Sequence, residues 1–426
     1  VTPGGKMEKK VRLEDVLKAL KRYDVLEMED SVIIGDIEIE LTSHPSAFLH
    51  ALQHVLKQHA KPMAEPSALM RGEEAEALIP AKFEVRSEKW LGEVEEVTLG
   101  ATPSEGGTRA KTVTIGGEKS LPFYFDAPMK NPPVIAVDCF DMPIPLAKAV
   151  RVMYEDVMED TGEWAKKNVE VFKADLVTIH LISTDPAIKD TPPREAAKTV
   201  EEVLQAVKVP IVIGGSGNPD KDPAVLEAAA EVAEGERCLI ASANLNMDYE
   251  RIAKAAISHG HVVLSWTQLD INQQKTLNRY LLKLGVPRES IVIDPTTAAL
   301  GYGLDYAFTN IERIRISALK GDTDLAFPIS CGVTNAWGAR EAWMKSSPIK
   351  EDSDWGPSAL RGPLYEIITG LSLALAGGDM FMMMHPKAAM TVKKVTRMLA
   401  GTETEEEGEE ERKIENWISW QPSGSS

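Results

Sequence analysis

The chain has 426 residues, more than one domain of ordinary size, and 43% of them are apolar, enough for a sizeable core. Its net charge of −18 argues against a nucleic-acid binder, which would need a basic stripe to neutralise phosphates. Three cysteines (Cys139, Cys238 and Cys331) stand far apart without a CxxC, which excludes a chain-owned four-cysteine iron–sulfur cluster and argues against a disulfide scaffold.

No stretch of 18 or more apolar residues is present, and the charged start is not followed by a signal-type apolar core. The expectation is a soluble protein of a reducing compartment, cytoplasmic, with no membrane contact and no nucleic-acid partner.

Residues 1–89 read as a separate small α+β segment. Lys6 to Glu29 sets Val11, Leu13, Val16, Leu17 and Leu20 at helical spacing. Ser31 to Leu41 alternates Ile34, Ile37, Ile39 and Leu41 with acidic positions, and Pro45 to Gln58 reads as a second helix. Pro62, Pro66 and Pro80 then punctuate a connector. Four of the eight histidines fall here, His44, His50, His54 and His59. His50 and His54 share a helical face at a spacing that can chelate zinc, but no HExxH is formed and no carboxylate lies between them. A histidine-rich polar face is the reading preferred over a metal site.

Residues 90–133 read as a β-hairpin cover. The runs Glu95–Gly100 and Lys111–Gly116 are joined through Gly106 and Gly107, and a further apolar run, Leu121–Phe125, follows. A hairpin directly before the first strand of a small barrel is expected to plug its closed, N-terminal end, where strand starts expose apolar core.

Residues 134–400 repeat one pattern eight times: a short apolar run, a polar tip, then an amphipathic helix. The runs are Val134–Val137, Leu176–Leu181, Ile211–Ile213, Leu239–Ala241, Val262–Leu264, Ile291–Ile293, Phe327–Ile329 and Met380–Met384. Alternating buried strands and helices indicate parallel βαβ units, and eight of them make a (β/α)₈ TIM barrel. All eight tips then share one face. Residues 401–426 form an acidic tail: Glu403 to Glu411 carries seven glutamates, followed by Trp417 and Trp420. Such a charge run reads as a solvated tail, with the tryptophans as a possible anchor on a partner.

The tips are rich in hydrogen-bonding groups. Gly214 to Asn218 follows a strand and precedes a helix, so Gly215, Ser216 and Asn218 could cradle a phosphate or let a large ligand approach the backbone. Neither GxGxxG nor GK[ST] is formed, and a tight βα turn is the bland alternative. Asp294, Thr296 and the rest of Asp294–Gly303 offer a carboxylate at a strand end, facing a ligand or capping a helix. Asn244, Asn246, Thr267, Gln268 and Asn335 add amides and hydroxyls that suit an amide-rich ligand and not acid–base work. No nucleophile–base set can be assembled from the tips, and His180 and His261 read as buried, satisfied core histidines. The Met380–His385 run reads as packing of the last strand, or as a soft surface beside a large cofactor.

Leu121–Phe125 with Asn131–Val134, then Ile213–Asn218, Asp294–Gly303 and Pro328–Cys331, resemble the small subunit of the corrinoid iron–sulfur protein. The best match is its archaeal form, the delta subunit of the acetyl-CoA decarbonylase/synthase complex, over about Trp90 to Ala400. The resemblance implies a TIM barrel distantly similar to pterin-binding barrels. It implies a large (gamma) partner subunit that carries the corrinoid-binding domain and the four-iron cluster. The corrinoid would be shared at the barrel mouth, its cobalt moving a methyl group between a tetrahydropterin and the nickel-containing acetyl-CoA synthase (beta) subunit. The expectation is thus a non-catalytic subunit that shelters a corrinoid, with no catalytic residue and no metal ligand of its own. Gly215, Ser216, Asn218, Asn244, Asn246, Thr267, Gln268, Asp294, Thr296 and Asn335 are its expected cofactor contacts, chosen by tip position and chemistry. A pterin-dependent methyltransferase acting on a corrinoid, holding the pterin with Asp294, Asn244 and Asp138, is the alternative.

Overall fold

A computed structural model of the chain describes residues 88–123, 127–349 and 355–402. The expected N-terminal α+β segment with His50 and His54, and the acidic tail with Trp417 and Trp420, lie outside the described residues. Tyr124 and Phe125 of the third apolar run do so as well, while Leu121–Phe123 form a turn and no strand.

The hairpin forms as expected. β1 (Glu96–Leu99) pairs antiparallel with β2 (Val113–Gly116), Val97 opposite Ile115 and Leu99 opposite Val113. Both strands carry their apolar residues at every second position, so one face of the ribbon is apolar throughout.

Eight parallel strands follow: β3 (Val134–Phe140), β4 (Leu176–His180), β5 (Ile211–Gly214), β6 (Leu239–Ala243), β7 (Val262–Trp266), β8 (Ile291–Asp294), β9 (Ser330–Gly332) and β10 (Met380–Met383). Each neighbours the next in sequence, and β10 returns to pair with β3, Met380 opposite Val134. A bridge between Ile293 and Ile329 joins β8 to the approach of β9 and brings the wall round to a TIM barrel. β9 departs from the sequence reading, which expected it at Phe327–Ile329. Pro328 has no N–H to give to a ladder, so pairing with β10 starts only at Ser330.

The outer ring comprises α1 (Lys148–Arg151), α2 (Thr161–Glu170), α3 (Pro193–Ala206), α4 (Asp222–Val232), α5 (Tyr249–His259), α6 (Ile271–Lys283), α7 (Leu304–Leu319), α8 (Arg340–Trp343), α9 (Ser358–Ala376) and α10 (Pro386–Ala400). Local chemistry starts and stops them. Asp160, Asp248 and Asp270 accept backbone N–H groups at the first turns of α2, α5 and α6, and Gly260 ends α5 with φ of 73°.

Strand alternation builds two cores. One set of alternating residues, such as Val137, Ile179, Ile213, Ile240 and Val263, packs outward against the helices. Ala136, Leu176, Val212, Leu239, Val262, Leu264, Val292, Met380 and Met382 point into the lumen, where Val97, Leu99, Val113 and Ile115 of the hairpin join them. The hairpin therefore plugs the N-terminal end. Arg315 of α7 ties this plug to the wall, reaching Glu118 after β2 at 2.8 Å and Asp379 before β10 at 2.6 Å.

Candidate functional site at the barrel mouth

With one end plugged by apolar side chains, access to the lumen lies at the C-terminal ends of the strands. The same alternation that buries Ala136 and Leu176 aims Asp138 inward one step higher and His180 two steps higher. Register places Phe140 beside His180 and Asp138 beside Thr178. Asp138 Oδ1 and His180 Nε2 stand 3.2 Å apart, but out of hydrogen-bond alignment, so neither atom is hydrogen-bonded. The other carboxylate oxygen of Asp138 accepts the Thr334 hydroxyl. The imidazole stacks on Phe140, ring centroids 5.0 Å apart. Only His261 fits the satisfied-core reading: its Nδ1 accepts from the Cys238 N–H at 3.1 Å and its Nε2 meets Ala230 O at 2.9 Å. His180 is instead a partly exposed lumen residue.

The glycine-rich tip after β5 is not an open cradle. Asp222, in the first turn of α4, accepts the Ser216 N–H at 3.0 Å, the Ser216 hydroxyl at 2.9 Å and the Gly217 N–H at 2.8 Å. A methyl group on Gly215 would stand 2.4 Å from the Asp222 carboxyl carbon, so this glycine admits the protein's own carboxylate. Asn218 accepts from the Asp220 and Lys221 N–H groups and so shapes the turn. The anion-binding geometry that the sequence suggested is present, and Asp222 fills it.

The remaining expected contacts divide by orientation. Thr267 is buried and donates to Gln274 of α6 at 2.8 Å, so its hydroxyl faces the helix and not the mouth. Asn244 accepts from the Asn246 N–H at 2.8 Å. Asn335 donates to Thr297 O at 2.9 Å from an exposed position, and Gln268 and Asn246 are exposed on the rim. Thr296 adopts a φ of 71°, unusual for a β-branched residue. It is held there by its N–H on Asp294 Oδ1 at 2.8 Å and its hydroxyl on Thr267 O at 2.7 Å. Asp294 follows Val292 on the lumen side of β8, and burial pushes its carboxyl up to about 7.

Behind the last tip lies a group the sequence reading did not reach. Glu366 of α9 is fully buried and accepts the Met384 N–H at 2.5 Å and the His385 N–H at 3.0 Å. Burial pushes Glu366 up to about 8 and His385 down to about 4. Trp337 stacks on the His385 ring, centroids 6.1 Å apart. Glu366 thereby fixes the exit of β10, a role invisible without the helix–strand packing.

What the mouth can do chemically follows from this inventory. The three thiols are buried, and burial pushes that of Cys238 up to about 12, so none is a nucleophile at neutral pH. Among the described residues no group of three metal-ligating side chains converges. A largely apolar groove of about 620 Å³ is lined by Leu300 of the loop after β8, Leu304 and Phe308 of α7 and Ser372 of α9. Asp138, His180, Thr178 and Asp294 put polar groups on the lumen side of the strands, as does Ser330, which lies opposite Met380.

The family model described as "CO dehydrogenase/acetyl-CoA synthase delta subunit" matches residues 96–347. Subunit delta of the acetyl-CoA decarbonylase/synthase complex of Archaeoglobus fulgidus is 58% identical, over 92% of this chain and 96% of its own length. Subunit delta 1 of that complex from Methanosarcina acetivorans is 55% identical, over 97% of this chain and 99% of its own. The chain belongs to the delta-subunit family. Among solved structures, dihydropteroate synthase from Thermus thermophilus in complex with 6HMPPP aligns with a TM-score of 0.43 at 18% identity, over 71% of this chain and 99% of that one. That likeness is too distant to carry function. The family match runs from the plug to just past α8, and so spans Asp138, His180 and all ten expected contacts. Glu366 and His385 lie beyond it. Among the described residues no helix is long and apolar enough to cross a membrane.

Proposed function

We propose that this chain is the corrinoid-sheltering subunit of the corrinoid iron–sulfur component of acetyl-CoA decarbonylase/synthase. Its barrel mouth is one wall of a pocket completed by the large (gamma) subunit. When bound, the corrinoid supplies a cobalt that carries a methyl group between a tetrahydropterin and the nickel site of the acetyl-CoA synthase (beta) subunit, in reversible acetyl-CoA synthesis and cleavage. The observation that carries this reading is the character of the mouth. Exposed amides of Asn246, Gln268 and Asn335 rim a lumen whose inward polar atoms are partly unbonded, and every thiol is buried. Such a surface suits a large, amide-edged ligand whose reactive centre arrives with another chain. In this role the chain's residues bind, orient and exclude water. The iron–sulfur cluster is assigned to the partner, because this chain has only three scattered cysteines.

The test is co-expression with the large subunit of a corrinoid iron–sulfur protein, followed by size-exclusion chromatography read at corrinoid wavelengths. The expected result is one coloured peak containing both chains. A chain that elutes alone and colourless sinks the reading.

One observation favours a second reading, a pterin-dependent methyltransferase acting on a corrinoid. Asp294 points into the lumen with its carboxyl near neutrality, so it can give or take a hydrogen bond at the edge of a heterocycle. Methyl transfer from a methyl-tetrahydropterin to free cobalamin by the isolated chain would establish it.

A further inference from the structure

The Asp138–His180 pair is expensive as a purely internal feature. Asp138 Oδ1 and His180 Nε2 are both buried without a hydrogen bond, and so is the hydroxyl oxygen of Thr178, the register neighbour of Asp138. Native interiors leave few such atoms, and those they keep mark a ligand, an ordered water or a working group. Packing alone does not require them. Ala136 and Leu176, earlier on the same strands, fill the lumen with apolar side chains.

The geometry around the imidazole is directional. Stacking on Phe140 fixes the ring plane, and Nε2 is turned toward the carboxylate. Nδ1 is turned toward Gly214, where a methyl group would stand 3.4 Å from it, and no described residue hydrogen-bonds it. A glycine at that place keeps a side chain off Nδ1. The His180 side chain is 27% exposed while that of Asp138 is 0% exposed, so a ligand meets the imidazole from the mouth with the carboxylate behind. With a proton on Nε2 facing Asp138, the neutral ring offers an acceptor at Nδ1, and the imidazolium offers a donor there. A group with an N–H beside a C=O satisfies either state. An anionic oxygen satisfies only the second and meets the Asp138 charge.

We propose that Asp138 and His180 form a recognition site for an amide-type edge, an N–H next to a C=O, of a molecule entering the barrel mouth. The proposal rests on the reading that the mouth holds a ligand. It names the chemistry that the lumen selects. Two ligand classes carry such an edge: the primary carboxamide arms of a corrinoid and the amino-oxo edge of a pterin.

The test compares the full chain with His180→Phe, which keeps the ring stack and removes both nitrogens, and with Asp138→Asn. Each is prepared alone and co-expressed with the large subunit. Corrinoid release from the purified complex is followed by its absorbance, and binding of dicyanocobinamide and of tetrahydrofolate to the chain alone is measured by titration. Loss of one buried hydrogen bond is expected to speed corrinoid release, or to weaken one of the probes, about tenfold, with unchanged thermal melting. An effect on the corrinoid and dicyanocobinamide alone assigns the edge to carboxamide arms, and an effect on tetrahydrofolate alone assigns it to a pterin. If a folded His180→Phe chain leaves all three unchanged, the recognition site is overturned while the sheltering role stands. A wild-type complex without corrinoid removes the sheltering role and leaves the tetrahydrofolate arm to decide. A wild-type chain that binds neither probe and holds no corrinoid overturns both.

Discussion

At the residue scale, two mouth positions separate what the protein does for itself from what it offers a ligand. Gly215→Ala would drive a methyl group into a carboxylate already held by three hydrogen bonds from Ser216 and Gly217. The expected cost is about 1–3 kcal/mol, read as a lower denaturant midpoint. A midpoint equal to wild type would mean that the Asp222 contact yields freely. Asp294 makes a prediction with a sign. Its buried carboxyl ionises near pH 7, whereas in the unfolded chain it ionises at about pH 4. Between those values the folded chain holds a proton that the unfolded chain has released, so this group's share of stability falls as pH rises through the window. Asp294→Asn removes that slope and keeps the acceptor for the Thr296 N–H. Relative to wild type, the variant should gain of the order of 2 kcal/mol between pH 5 and pH 8 in urea titrations. An unchanged difference at the two pH values would refute the burial argument. Asp294 was legible because it ends an apolar run. His180 was not, because its role depends on facing Asp138 across a strand pair. One signal was available: His180 and Thr178 step by twos from Leu176, as Asp138 does from Ala136, so both strands point the same parity into one lumen.

At the scale of elements, the hairpin and seven of the eight strands could be read because their apolar residues recur at period two or in short runs ended by Gly, Pro or Asp. β9 could not be placed. Its residues Ser330, Cys331 and Gly332 carry no hydrophobic pattern, and the apolar run before it is broken by Pro328. Its pairing comes from β10, a purely tertiary cause. The join between plug and wall was equally hidden. Arg315 on α7 reaches Glu118, Asp379 and the Gly377 carbonyl, so one guanidinium ties α7 to two distant pieces of chain. Burial first, and then the Asp379 charge, hold Glu118 above the ordinary carboxylate range. Removing the cation from such a cluster leaves two acidic groups buried together, whose cost the remaining packing does not offset. Arg315→Met is expected to destabilise the fold by about 3–5 kcal/mol, read as a lower urea midpoint at neutral pH. A midpoint equal to wild type would show that the join between plug and wall does not depend on the guanidinium.

At the scale of the whole molecule, the barrel has one weak line. Between β4 and β5 the register runs over four residue pairs, and between β3 and β4 over five. β9 has three residues paired to β10 on one side, and on the other the wall is closed by the Ile293–Ile329 bridge with the Ile293 N–H on Pro328 O at 2.9 Å. Local opening of a wall starts where the fewest hydrogen bonds and contacts must break together. The loop after β9 carries Thr334, which donates to Asp138, and Asn335, which reaches the loop after β8. The weak seam therefore lies beside the polar side of the mouth, and a ligand that contacts this side ties its two edges together. In native-state hydrogen exchange the amides of Ser330–Gly332 should exchange at least tenfold faster than those of Val177–Ile179, which lie mid-wall with partners on both sides. Binding at the mouth should slow the first set and leave the second unchanged. Equal protection of the two sets in the ligand-free chain would show that the plug and helices close the seam as firmly as a full strand ladder does.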